Sequence, residues 1–227
     1  MGAFIQVNPR ESEFRAYYAE AKDGKGPGIL LCHPRWGLNS CFTDLADRLS
    51  AAGYTVLAPD LFDGRTATDS AEADALVAAF EADDGAKGIA REQVALDYLL
   101  NSPAITSPNI AAIAFSMGAA YVTWLATLRS EIAAVILFYG GSDWNKDYAE
   151  NANAPVQGHW AAADPFQPAE AVYAFEAELK AAGHTPDFYT YPGSEHHFFE
   201  SNRPEYDPAA AQRAWERTLA FLREHVG

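Results

Sequence analysis

The chain has 227 residues, of which 49% are hydrophobic and 13% aromatic, and its formal net charge is −15. This composition predicts a folded protein with a large core and argues against a disordered chain. The acidic balance argues against nucleic acid and against an anionic membrane surface as partners, because both attract basic side chains. We therefore expect no nucleic-acid partner and no membrane partner.

Two further features favour a cytoplasmic protein without a metal or organic cofactor. The N-terminal residues MGAFIQVNPRESEF lack the basic segment and apolar run of a signal peptide. The two cysteines, Cys32 and Cys41, have no histidines at ligand spacing, so they indicate buried thiols and no zinc site.

The hydrophobic pattern predicts strands that alternate with helices along the whole chain. The predicted strands are EFRAYYAE at the sheet edge, then GILLCHP, YTVLAPD, NIAAIAF, IAAVILFYGG, APVQGHWA and TPDFYTYPG. The predicted helices cover residues 41–52, 71–80, 86–100, 117–128, 168–183 and 207–226. This alternation is typical of an α/β fold with a mainly parallel central sheet and helices on both faces. No linker or repeat interrupts it, so we expect a single domain over residues 1–227.

Ser116 lies in a strand–turn–helix segment, IAAIAFSMGAAY, that is typical of a nucleophile in a sharp turn. Such turns usually read G-x-S-x-G, and here Ala114 takes the place of the first glycine. The position requires only a small side chain, so we expect the alanine to be tolerated. The N–H of Met117, at the start of the following helix, would then point toward a developing oxyanion.

Polar residues follow several predicted strands, at the edge of the sheet where α/β enzymes hold their active sites. Ser116, Asp164 and a histidine, either His196 or His197, each come just after a strand. This is the serine–acid–histidine order of the α/β-hydrolase arrangement. Taken singly, the serine reads equally well as a helix cap and the other residues as loop or surface residues. Their combination at successive strand ends favours a catalytic triad.

Several segments are specific in combination: HPRWGLN, GYTVLAPDLFDGR, AFSMGAA, GHWAAADPFQP, YPGSEHHF and RPEYDPAAAQRAWERTLAFL. In these the sequence resembles the dienelactone hydrolase family of the α/β-hydrolase superfamily, in a variant with a serine nucleophile. The resemblance implies Ser116 as nucleophile, Asp164 as acid and His196 as base, because the family pattern Y-x-G-x-x-H-x-F selects His196 over His197. It also implies the N–H of Arg35 as a second oxyanion donor.

The sequence departs from the family pattern at three positions. Dienelactone hydrolases proper carry a cysteine nucleophile and a glutamate that interacts with it, and here Ser116 and Pro34 stand at those positions. Two arginines hold the substrate carboxylate in the family. Arg65 matches one of them, but Glu200 stands in the place of the other, with Arg203 nearby. We therefore do not predict dienelactone itself as the substrate.

The lead hypothesis is a serine hydrolase that cleaves a small carboxylic ester or lactone through an acyl-enzyme. The alternatives are a small-molecule-binding homologue without catalysis and an amide or peptide hydrolase with the same triad. A dinucleotide-binding domain is disfavoured, because no G-x-G-x-x-G follows the first core strand. The sequence leaves open whether the protein is a monomer or a homodimer.

Several side chains near the predicted site have two readings. The rings of Trp36, Phe115, Trp144 and Phe198 either line a substrate pocket or pack in the core. His159 lies within a predicted strand and is expected to be a buried structural histidine. His33 precedes the predicted oxyanion loop, and we assign it no catalytic role.

Overall fold

The computed structural model describes residues 1–7, 14–82, 85–141 and 145–227. Within them, eight strands form a mixed, mostly parallel sheet, which confirms the predicted α/β class. The strands are β1 (Ala3–Val7), β2 (Phe14–Ala19), β3 (Gly26–Cys32), β4 (Thr55–Pro59), β5 (Ile105–Phe115), β6 (Ile132–Phe138), β7 (Val156–Ala163) and β8 (Asp187–Glu195). The helices are α1 (Ser40–Ala51), α2 (Ser70–Phe80), α3 (Ala86–Leu100), α4 (Gly118–Leu128), α5 (Asn145–Asn151), α6 (Ala169–Ala181) and α7 (Pro208–His225).

Two elements were missing from the sequence-based prediction. β1 pairs antiparallel with β2 and takes the edge position, so the prediction of an edge position for β2 is wrong. After the predicted strand IAAVILFYGG the sequence predicts an irregular loop that contains Asp143, but the short helix α5 lies in this stretch. Asp143 itself is outside the described residues. β5 also starts earlier than predicted. It begins at Ile105 and continues through Pro108, whereas the predicted strand begins at Asn109.

The chain divides into two compact units, of which the first is Met1–Ala112. In this unit β2 pairs antiparallel with β4, and β3 pairs parallel with β4. β4 is buried along its whole length, as expected of a strand covered on both faces. β5 begins in this unit and lies beside β3. The two strands approach closely at Gly28, where a Cβ would lie 2.7 Å from Cγ2 of Ile110. The expectation of a single domain over residues 1–227 stays a prediction.

The second unit, Ile113–Gly227, contains the end of β5 and the strands β6, β7 and β8, in that order. β6 and β7 are parallel, and so are β7 and β8, so their carboxyl ends meet at one edge. The residues that directly follow these four strands are Ser116, Tyr139, Asp164 and His196. The sheet therefore gathers polar side chains from separate parts of the chain at one place.

Polar side chains cap several helices, and they explain why the helices begin where they do. Asn39 accepts the N–H of Cys41 at 2.9 Å before α1, and Asp69 accepts the N–H of Glu72 at 2.9 Å before α2. Asp207 accepts two N–H groups at the start of α7, where Pro208 also favours the first turn. Each such cap stabilises its helix by about 1 kcal/mol.

The sequence predicts that both cysteines are buried thiols, and the structure agrees for one of them. Cys32 is fully buried at the end of β3, as predicted, whereas Cys41 is only partly buried at the start of α1.

Among the helices in the described residues, none combines the length and the hydropathy that a membrane crossing requires.

Candidate active site

Ser116 lies in a sharp turn between β5 and α4, and its backbone is strained. Its φ angle is +48°, in the left-handed region that side-chain-bearing residues seldom adopt. Two hydrogen bonds hold this conformation: the Ser116 N–H donates to the Phe138 carbonyl at 2.9 Å, and the Ser116 carbonyl accepts the N–H of Ala119 at 3.0 Å. A strained serine fixed by its neighbours is a feature of functional turns and distinguishes this turn from an ordinary helix cap.

The backbone around Ser116 leaves room only for small residues. Ala114 is fully buried in β5, and its methyl group is accommodated there, as expected from the sequence. Gly140 approaches Ser116 from the end of β6: a Cβ there would lie 2.4 Å from the Ser116 carbonyl oxygen and 2.9 Å from its Cα. Sequence reasoning missed Gly140, because this contact joins two segments that are distant in the chain.

Ser116, His196 and Asp164 form a continuous chain of hydrogen bonds, which we call the triad. The Ser116 Oγ lies 3.0 Å from Nε2 of His196. The opposite ring nitrogen of His196, Nδ1, lies 2.7 Å from Oδ2 of Asp164. The structure thus brings together the three residues predicted from the strand ends, and it joins Ser116 to His196, the histidine that the family resemblance implied.

The Asp164 carboxylate is held in one orientation by the loop that follows it. Its Oδ1 accepts the backbone N–H groups of Phe166 at 2.9 Å and Gln167 at 3.0 Å. These donors leave Oδ2 for His196, and the side chain of Asp164 has no exposed surface. Such N–H donors satisfy the hydrogen-bonding capacity of a carboxylate. The carboxylate in turn favours hydrogen on Nδ1 of His196, the ring nitrogen that faces Oδ2.

The His196 ring is enclosed by three other rings. Centroid distances are 4.9 Å to Tyr139, 4.9 Å to Phe166 and 4.2 Å to His197. Only 6% of the His196 side chain is exposed. Packing therefore restricts the ring, while the ring edge with Nε2 keeps its hydrogen bond to Ser116.

Glu200 occupies a buried position behind these rings and does not face a solvent-filled pocket. Its Oε1 lies 2.9 Å from the Tyr139 hydroxyl and 2.9 Å from Nδ1 of His197, and the residue has no exposed surface. Burial raises the pKa of the Glu200 carboxyl to about 8. Arg203, the arginine near the family position, forms an ion pair with Glu205 at 3.6 Å. The sequence could not show this arrangement, because Tyr139 lies 61 residues away from Glu200 in the chain.

The predicted oxyanion loop lies in the first unit and is held by its own contacts. Nδ1 of His33 lies 2.7 Å from the Pro34 carbonyl, and its Nε2 accepts the N–H of Leu61 at 3.1 Å. This pattern requires a neutral ring, in agreement with a pKa that burial lowers. His33 therefore has a structural role, and the oxyanion role of the Arg35 N–H stays a prediction.

The side chains of Arg35, Trp36 and Arg65 also have partners within the first unit. The Arg35 guanidinium forms an ion pair with Asp74 at 3.1 Å and lies 5.1 Å from the Trp36 ring centroid. Arg65 donates from Nε to the Phe62 carbonyl at 3.2 Å. Substrate contacts by Trp36 and Arg65 stay predictions.

The other rings predicted to line a substrate pocket are packed in the core of the second unit. Phe115 stacks on Phe138 with a centroid distance of 4.5 Å, and Phe198 lies 4.9 Å from Tyr191. Phe115 and Phe198 have no exposed surface, so the packing reading is the better supported of the two. Trp144 lies outside the described residues.

His159 is buried in β7, as expected of a structural histidine. Its Nδ1 lies 2.8 Å from the Tyr191 hydroxyl and its Nε2 lies 2.9 Å from Oε1 of Gln157. Burial lowers the pKa of His159 to about 3, so the ring is neutral near pH 7. In the part of the chain that the structure describes, no group of three or more His, Cys, Asp or Glu residues is arranged to hold a metal ion.

Comparison with known proteins finds relatives and a solved structure that match the chain over almost its whole length. Protein usf of Aquifex pyrophilus is 27% identical over 231 residues that cover 100% of each chain. A protein of Azospirillum brasilense provisionally named carboxymethylenebutenolidase is 30% identical over 237 residues, which cover 96% of each chain. The crystal structure of a provisionally assigned dienelactone hydrolase from Klebsiella pneumoniae has the same fold, with a TM-score of 0.87 and 23% identity over 99% of each chain.

The family model described as the dienelactone hydrolase family matches residues 14–226, almost the whole chain. The match includes both units and every residue of the triad. The chain belongs to the dienelactone hydrolase family.

Proposed function

We propose that the protein is a serine hydrolase that cleaves a small carboxylic ester or lactone through an acyl-enzyme on Ser116. A carboxylic-ester hydrolase is the enzyme class indicated by the family and by the names of the relatives. The observation that carries the finer proposal is the hydrogen-bonded triad, with a strained Ser116 3.0 Å from His196. A cytoplasmic location stays a prediction from the sequence.

The proposed reaction begins with proton transfer from Ser116 to His196. A serine hydroxyl is a weak nucleophile at neutral pH, so Nε2 of His196 accepts its proton as Oγ attacks the carbonyl carbon. Asp164 keeps hydrogen on Nδ1 and stabilises the imidazolium that forms. His196 then gives the proton to the leaving alkoxide, and the acyl group remains on Ser116.

Two N–H groups are proposed to stabilise the tetrahedral oxyanion. Met117 directly follows Ser116 at the N-terminus of α4, where amide groups have no acceptor within the helix. The Arg35 N–H is the second proposed donor. A water molecule, activated by His196 in the same way, then attacks the acyl group and releases Ser116.

The test compares the hydrolysis of short p-nitrophenyl esters by the wild type and by Ser116→Ala and His196→Ala. We expect both variants to lose at least about a thousandfold in kcat, because they remove members of the triad. Ser130→Ala and His184→Ala serve as matched controls outside the triad and should hydrolyse like the wild type. Unchanged turnover in the two triad variants would contradict the proposal.

A further inference from the structure

A buried carboxyl group, Glu200, links two of the rings that enclose His196. Its Oε1 is within hydrogen-bond distance of both the Tyr139 hydroxyl and Nδ1 of His197, at 2.9 Å each. Its Oε2 has no hydrogen-bond partner among the described residues. Both contacts to Tyr139 and His197 therefore fall on one oxygen of a group with no exposed surface.

The two linked rings contact His196 directly. The Tyr139 ring lies 4.9 Å from the His196 ring at an interplanar angle of 58°, and the His197 ring lies 4.2 Å away at 82°. Rings at these distances are in contact, so a shift of either ring changes the packing around His196. Glu200 is thus within hydrogen-bond distance of two of the rings that contact His196.

The backbone conformations of the same two residues are strained. Tyr139 has a φ angle of +39° and His197 has a φ angle of +69°. Such conformations persist only where surrounding contacts determine them, and the hydrogen bonds to Glu200 are contacts of this kind. Tyr139 also precedes Gly140, whose backbone packs against Ser116. One carboxyl group is therefore connected to the segments that carry both the proposed base and the proposed nucleophile.

We propose that Glu200 is a positioning residue, which holds Tyr139 and His197 so that the His196 ring stays aligned between Ser116 and Asp164. This inference rests on the proposed function, because it assigns His196 the role of the base. Without an acceptor at Glu200, the Tyr139 hydroxyl and the His197 ring lose a buried partner and turn to find another. His196 then spends less time in line with Ser116, which lowers the rate of the chemical step.

The experiment uses Tyr139→Phe, Glu200→Ala and Glu200→Gln. Tyr139→Phe removes one hydroxyl and keeps the ring, so it answers the question even if Glu200→Ala fails to fold. Glu200→Gln keeps an oxygen acceptor in a side chain of the same shape. Tyr148→Phe is the matched control, since the Tyr148 hydroxyl is buried in the same unit and has no hydrogen-bond partner among the described residues.

We expect Tyr139→Phe and Glu200→Ala to lower kcat about tenfold or more while KM changes by less than about twofold. Glu200→Gln should recover most of the lost kcat, and Tyr148→Phe should resemble the wild type. The low-field proton NMR signal of the His196 Nδ1–H should shift in Tyr139→Phe and stay in place in Tyr148→Phe. That signal reports the hydrogen bond to Asp164, which a general loss of stability would not move.

Two results would overturn the positioning role: wild-type kcat in Tyr139→Phe, or a Glu200→Gln variant as slow as Glu200→Ala. Ser116→Ala, assayed in parallel, separates this failure from a failure of the proposed function. If Ser116→Ala is inactive while Tyr139→Phe keeps full activity, the serine hydrolase stands and only the role of Glu200 is lost. If Ser116→Ala keeps its activity, the proposed function itself is wrong.

Discussion

The backbone of Gly140 lies directly against the backbone of Ser116, and no side chain fits between them. A Cβ on Gly140 would be 2.4 Å from the Ser116 carbonyl oxygen, far inside the contact distance of two heavy atoms. The opposing atoms belong to the main chain, so a rotamer change cannot relieve the clash. The end of β6 therefore sets the space in which the strained serine turn is built.

Gly140→Ala should consequently impair both activity and stability. We expect kcat to fall at least about tenfold, because the methyl group displaces the Ser116 turn. The free energy of unfolding should decrease by about 1–3 kcal/mol, the usual cost of overpacking a core. Ester hydrolysis and urea unfolding measure the two effects.

Gly183→Ala is the control for this variant. Gly183 has a φ angle of +92° and open space where a Cβ would be, so alanine there adds backbone strain without a clash. Its stability should fall while kcat stays at the wild-type value. Wild-type kcat in Gly140→Ala would contradict the inferred contact.

Asp164→Asn should inactivate the enzyme while the fold remains intact. The N–H groups of Phe166 and Gln167 will hold the amide oxygen of the asparagine, which turns its NH₂ group toward Nδ1 of His196. His196 must then carry its hydrogen on Nε2, so it cannot accept the Ser116 proton. We expect kcat to fall at least about a thousandfold.

Asp207→Asn is the matched control for Asp164→Asn. Asp207 also accepts two backbone N–H groups on Oδ1, while its Oδ2 accepts the Ser194 hydroxyl at 2.8 Å. A hydroxyl group can reverse its role and accept from an amide, so this variant should keep the wild-type kcat. Equal activity in the wild type and Asp164→Asn would show that the triad geometry is not used.

Glu92, which lies on α3 in the first unit, should make stability depend on pH. Burial raises its pKa from 4.5 to about 7, and the neighbouring Cys32 thiol offsets only part of this effect. Between these two values the unfolded chain has released the proton while the folded chain still holds it. The contribution of Glu92 to stability therefore falls as pH rises from about 4.5 to about 7, and it levels off at higher pH.

Glu92→Gln removes this dependence, since an amide does not ionise. The variant should gain stability relative to the wild type as pH rises, by an amount on the order of 3 kcal/mol above pH 7. Urea unfolding at pH 5 and pH 8 measures the difference. The buried Glu200 titrates in both proteins, so its contribution cancels in the comparison. A stability difference that is the same at both pH values would contradict the raised pKa.

The parts of the fold that follow from local patterns could be predicted from the sequence. The apolar run before Ser116 and the small residues after it identify β5 and α4. α3 begins and ends at the predicted residues 86 and 100, because its apolar spacing and its flanking residues mark both ends. The short segments β1 and α5 were missed, since neither carries enough apolar periodicity to be recognised.

The triad could be predicted from the sequence, whereas the groups that support it could not. Its residues lie within three positions of the ends of the predicted strands, and parallel strands bring their carboxyl ends together. Gly140 and Glu200 act through contacts with Ser116 and Tyr139, which lie far away in the chain. Nothing in the local sequence distinguishes a glutamate that faces a pocket from one that is buried against a tyrosine hydroxyl. The structure shows that Glu200 is buried against the Tyr139 hydroxyl.

The most direct test of the central claim is the covalent reaction of the protein with a fluorophosphonate, followed by intact-mass measurement and peptide mapping. The reagent phosphonylates a serine only where a neighbouring base has activated it. The account predicts a single adduct on Ser116, no adduct in Ser116→Ala, and a rate at least about a hundredfold lower in His196→Ala. An unlabelled wild type, under conditions that label a known serine esterase, would contradict it, as would an adduct that persists in Ser116→Ala.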